Sequence, residues 1–136
     1  MRTLFPALVL ALLLPLPAAA QEGEQIATGE ALFMDFCATC HGPTGRGDGP
    51  MTEVLVVPVP DLTGLAARAG GTFPHFGVVA QIDGRDPLLS HGMTMPVWGP
   101  VFEGVEAAFV RTDAGQPIVT SAPIAALVAW LESVQE

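Results

Sequence analysis

The feature that most restricts this chain is a five-residue run, Cys37-Ala38-Thr39-Cys40-His41, in which a histidine directly follows two cysteines separated by two residues. On one helical turn this spacing lets both thiols form thioethers with the two vinyl groups of a haem, and it brings the histidine beneath the iron. A bare cysteine pair can also be a redox dithiol or half of a zinc site. The adjacent histidine and the lack of any other cysteine favour covalent haem attachment through Cys37 and Cys40, with His41 as an axial iron ligand.

The first 20 residues have the pattern of a secretory signal peptide. Arg2 supplies a positive charge, residues 4–16 are almost wholly apolar, and the run 18–20 offers small residues for cleavage after Ala20. A membrane anchor is the alternative, but the apolar run is shorter than the roughly 20 residues of a spanning helix. We therefore predict a leader over residues 1–20, export to the periplasm, and one domain over residues 21–136 without a transmembrane anchor.

The charge balance limits the partners that such a domain can bind. The chain has 5 basic and 14 acidic residues, and Arg2 leaves with the leader, so 4 against 14 remain and the formal net charge is −10. This charge argues against binding to nucleic acid or to anionic membranes. It predicts redox partner proteins with a basic docking face, held by an attraction that salt weakens.

Hydrophobic spacing predicts a mainly helical domain after a frayed polar terminus over residues 21–25. Glycines and prolines make residues 42–50 a loop, residues 56–62 an extended segment and residues 113–117 a turn. Helices are expected over residues 26–39, 64–69, 75–83, 101–110 and 121–135, with a helical turn near residues 52–55. Ser121 is expected to cap the last helix. Gly29 lies inside the first helix, where glycine costs about 1 kcal/mol relative to alanine, so we expect another element to approach closely there.

Several residues could complete the coordination of the iron opposite His41. The candidates are Met34, Met51, His75, His91, Met93 and Met95. Met95 precedes Pro96, which holds the local backbone extended, and both lie in an apolar loop that must cover something. We therefore favour Met95, with Met93 as the alternative. Ligation by His and Met raises the reduction potential relative to two histidines and suits one-electron transfer.

With these features in place, the chain resembles the monohaem class I cytochromes c in their bacterial periplasmic form. The resemblance rests on Gly29, Phe33, the run 37–42, the glycine-rich loop 45–50, Pro60-Asp61-Leu62, the run 95–99 and Trp130-Leu131. It implies an all-α fold of about four to five helices around one covalently bound haem c, with the terminal helices crossing at Gly29. It further implies that the Pro60 carbonyl accepts a hydrogen bond from His41 Nδ1 and that Leu62 packs on the haem.

The chain also departs from that family pattern. The stretch from His41 to Pro60 is longer than in mitochondrial members, so Pro58 could supply the carbonyl instead. No family motif falls in residues 101–120, and the lysine-rich docking face is absent. Arg46, Arg85 and Trp98 are the candidates for contact with the haem propionates, and Trp98 is preferred.

The function predicted from these features is that of a monomeric electron carrier with a closed, six-coordinate haem, and not that of an enzyme. A haem enzyme or ligand-binding cytochrome with an open distal site is the first alternative. A cytochrome subunit of a larger dehydrogenase or reductase is the second, because such subunits use the same fold.

Overall fold

A computed structural model describes residues 18–85 and 95–136 of the chain. The candidate ligands Met93 and His91, and all of the proposed leader before residue 18, lie outside these ranges. Within them, the helices Ala18–Phe36 and Ala122–Ser133 are the longest elements, and they pack against each other. The helices are α1 (Ala18–Phe36), α2 (Ala38–His41), a 3₁₀ helix (Pro50–Glu53), α3 (Leu65–Arg68), α4 (His75–Asp83), a second 3₁₀ helix (Gly99–Phe102) and α5 (Ala122–Ser133).

The two terminal helices cross in direct contact, as expected, and Gly29 lies at their closest approach. A Cβ atom built at Gly29 would lie 2.0 Å from the carbonyl oxygen of Ala126, so no side chain fits there. Next to this contact, the rings of Phe33 and Trp130 are 4.1 Å apart between centroids. The glycine is thus required by the packing of α1 against α5, and this packing buries the centre of the hydrophobic core.

Several predicted boundaries are corrected by the structure. Residues 21–25 are helical rather than frayed, because α1 already includes them. The first helix is interrupted at Cys37, and α2 then continues as one turn to His41. The short third helix covers Leu65–Arg68 only. Ser121 does precede α5, but its hydroxyl makes no capping hydrogen bond.

The prediction of a helix over residues 101–110 is wrong. Only the 3₁₀ helix Gly99–Phe102 forms there, and Gly104 then adopts a left-handed conformation with φ of 80°, which ends helical structure. Two strands follow, β1 (Ala107–Val110) and β2 (Ile118–Ser121), which pair antiparallel with Ala107 opposite Ser121 and Val110 opposite Ile118. The predicted turn over residues 113–117 connects them. The fold is therefore mostly helical, with one small sheet that the sequence did not lead us to expect.

Within residues 18–85 and 95–136, none of the helices combines the length and the apolar character needed to cross a membrane.

Candidate haem-binding site

An apolar cavity of about 250 Å³ opens between α1, α2, α4, α5 and the segment that contains Met95. The cavity brings together four of the predicted residues, Cys37, His41, Leu62 and Met95. Cys40, Pro60 and Trp98 do not line it. The remaining lining residues are Phe33, Leu65, Pro74, Gly77, Val78, Gln81, Ile82, Leu127 and Leu131. Such a lining suits a large apolar ligand with a few polar contacts.

His41 ends α2 and is buried, with 8% of its surface exposed. Its Nδ1 atom is fully buried and makes no hydrogen bond of ordinary geometry within the described residues. Burial lowers the pKa of the imidazole, and the carbonyl of Pro60 partly offsets this by raising the pKa. The imidazole is therefore held neutral, which is the state that binds a metal ion. The backbone of Pro60 is thus the group that acts on the imidazole pKa, and the choice between Pro60 and Pro58 as the partner of Nδ1 stays a prediction.

The loop after His41 folds back and supports this arrangement. The backbone N–H of Gly47 donates to the His41 carbonyl at 2.8 Å, and that of Leu62 donates to the Gly45 carbonyl at 2.7 Å. Gly47 adopts a φ of 79°, and a Cβ there would lie 2.5 Å from the Val59 carbonyl oxygen. The loop thus holds the segment that contains Pro60 and Leu62 next to α2.

Both cysteines are free thiols and half-buried. Burial, together with Cys40, raises the pKa of the Cys37 thiol to about 11, so this thiol is protonated at neutral pH. The His41 N–H donates to the Cys37 carbonyl at 2.9 Å, which fixes the turn that carries both cysteines and the histidine. Cys37 faces the cavity directly, and Cys40 lies on the same turn outside its lining.

Met95 is half-buried, and its sulfur has a polar partner that the sequence analysis missed. The side-chain amide of Gln81 donates to Met95 Sδ at a distance of 3.8 Å. Gln81 lies on the same face of α4 as Gly77, Val78 and Ile82, which also line the cavity. In the sequence, Gln81 stands out only as a polar residue among apolar neighbours at helical spacing. This pattern does not identify a contact with Met95.

Trp98 packs among aromatic rings and not against the cavity. Its backbone N–H donates to the Ile82 carbonyl at 2.8 Å, which joins the Met95 segment to the end of α4. Its ring lies 5.3 Å from that of Phe36 and 6.4 Å from that of Phe102, measured between centroids.

These residues fit a covalently attached haem. The cavity is apolar, a neutral histidine with an unpaired buried nitrogen lines it, two free thiols lie on the same turn, and a methionine sulfur lies in its wall.

A comparison of the sequence with protein families supports this conclusion. The Cytochrome c family model matches residues 26–135, which is most of the chain. The chain therefore belongs to the cytochrome c family, and its small size and mostly helical fold are consistent with class I. Its cofactor is haem c, held covalently as in that family. No curated protein and no solved structure shows a significant match to the chain.

Proposed function

We propose that this cytochrome c is a periplasmic, monomeric electron carrier with haem attached through Cys37 and Cys40 and with His41 and Met95 as axial ligands. The observation that carries the proposal is that Cys37, His41 and Met95 line one apolar cavity although 58 positions separate the first from the last. The export pattern of residues 1–20 supports the location.

The bound haem c would supply one-electron redox chemistry, and the chain would tune and protect it. A hydrogen bond from His41 Nδ1 to the Pro60 carbonyl would orient the ring and strengthen the imidazole as a ligand. Leu62, Leu127 and Leu131 line the cavity, and an apolar environment of this kind favours the less charged, reduced state. Met95 as a ligand would leave no coordination position for a small-molecule substrate, which is the reason for preferring a carrier to an enzyme.

The absorption spectrum of the periplasmically matured protein tests the ligand assignment. We expect a low-spin c-type spectrum with a thioether-to-ferric-iron charge-transfer band. The Met95→His variant should lose that band, because the new ligand has no sulfur, and Met93→Leu should keep it and serve as the matched control. If Met93→Leu lost the band and Met95→His kept it, Met93 would be the distal ligand. Ready binding of carbon monoxide to the reduced wild type would instead indicate an open distal site.

A further inference from the structure

Three aromatic rings meet next to the attachment motif and form a cluster that does not line the cavity. Phe36 and Phe102 are 5.6 Å apart between centroids, and their planes meet at 89°. Phe36 and Trp98 are 5.3 Å apart at 64°. Both pairs have the edge-to-face geometry that aromatic rings prefer, and each such pair contributes stability beyond its buried area.

The three rings come from parts of the chain with different roles. Phe36 is the last residue of α1 and directly precedes Cys37, one of the proposed haem attachment points. Trp98 follows Met95 by three positions, and Phe102 ends the 3₁₀ helix that continues from Trp98. The cluster therefore joins the helix that leads into the attachment motif to the segment that presents the proposed distal ligand.

Backbone contacts attach the same segment to α4. The Trp98 N–H donates to the Ile82 carbonyl, and Gly99 packs so closely on Asp83 that a Cβ would lie 2.3 Å from its carbonyl oxygen. These contacts fix where the segment runs along α4. The rings add a second attachment, toward α1, so the segment is held from two sides.

We propose that Phe36, Trp98 and Phe102 act as an aromatic clamp that keeps Met95 at the iron and resists its displacement by other ligands. The three are positioning residues, and the proposal rests on Met95 being the distal ligand. Displacing Met95 requires the segment over residues 95–102 to move, and this movement would separate Trp98 and Phe102 from Phe36. The clamp would therefore decide how firmly the distal position is closed.

Phe36 offers the cleanest test, because 37% of its surface is exposed and leucine can replace it without leaving a buried cavity. In ferric, haem-loaded Phe36→Leu we expect the apparent affinity for imidazole to rise about tenfold, since two ring pairs are lost. The charge-transfer band should also disappear at a lower temperature than global unfolding measured by circular dichroism. Phe36→Tyr keeps the ring and should return the affinity to within about twofold of the wild type.

Phe109→Leu is the matched control, because Phe109 is 64% exposed and lies on β1 outside the cluster. It should leave the imidazole affinity unchanged. If the band depends on Met95 and Phe36→Leu leaves the imidazole affinity unchanged, the clamp is overturned, but the proposed ligation is not. An equal rise in Phe109→Leu would also overturn the clamp. A wild type without the band, or a band that survives Met95→His, would overturn the proposed ligation itself.

Discussion

The two cysteines of the motif have different surroundings although only two residues separate them. Cys37 lines the apolar cavity, and its pKa is raised to about 11, whereas Cys40 lies outside the cavity lining. Cys37 is thus the cysteine of the motif that reaches the apolar interior of the site.

Replacing these cysteines separately tests the attachment. Cys37→Ala and Cys40→Ala should each leave a haem held by one thioether, with a pyridine haemochrome band shifted toward that of a haem with one free vinyl group. The double variant should carry no haem on a denaturing gel stained for haem. Thr39→Ala, at an exposed position between the cysteines, is the control and should stain like the wild type. Normal staining of the double variant would contradict attachment through these thiols.

At the scale of elements, local sequence patterns predicted the helices whose ends are set by local interactions. The helix His75–Asp83 was predicted with its bounds, because apolar residues recur on one face and Gly84 ends it with φ of 76°. The hairpin was missed because Val101, Phe102, Val105 and Phe109 have helical spacing, whereas the left-handed Gly104 ends the helix after one turn. The second strand begins with three β-branched residues, Ile118, Val119 and Thr120, but the sequence analysis followed the helical spacing and did not use this signal.

The residues of the site also differ in how far the sequence alone could predict their roles. The motif at residues 37–41 is contiguous, so its chemistry can be read from sequence. The contact between Gln81 and Met95 joins two elements through one side chain, and the ring contacts of Phe36 join residues more than 60 positions apart. Neither has a local pattern, because both depend on how α4 and the Met95 segment pack in three dimensions.

The crossing of α1 and α5 leads to a prediction at the scale of elements. Gly29→Ala should lower the free energy of unfolding by about 2 kcal/mol, because its Cβ would overlap the Ala126 carbonyl and force the helices apart. Urea unfolding of the haem-loaded protein, followed by circular dichroism, measures this. Gly23→Ala is the matched control, since a Cβ there meets nothing within 4 Å, and it should be neutral or slightly stabilising. Equal effects of the two substitutions would show that Gly29 is not a packing requirement.

At the scale of the whole molecule, the 14 acidic residues far outnumber the 5 basic ones. The chain has no lysine. In the part of the chain that the structure describes, three of the four arginines make contacts within the molecule. Arg46 pairs with Glu136, Arg85 pairs with Asp83, and Arg68 donates to the Asp61 carbonyl. Because acidic residues are in excess and two of these arginines already pair with carboxylates, we infer that an approaching partner meets a negative field.

This field predicts how the rate of electron transfer depends on salt. Reduced, haem-loaded protein should react with a cationic cobalt complex about tenfold faster at low ionic strength, about 0.01 M, than at about 0.15 M, since the screening length falls from roughly 30 Å to 8 Å. Ferricyanide, which is anionic, should show the opposite trend, and an uncharged quinone should show almost none. Stopped-flow absorbance of the haem band gives all three rates. A common trend for the cation and the anion would contradict steering by the acidic surface, because a charge-mediated effect must change sign with the charge of the reactant.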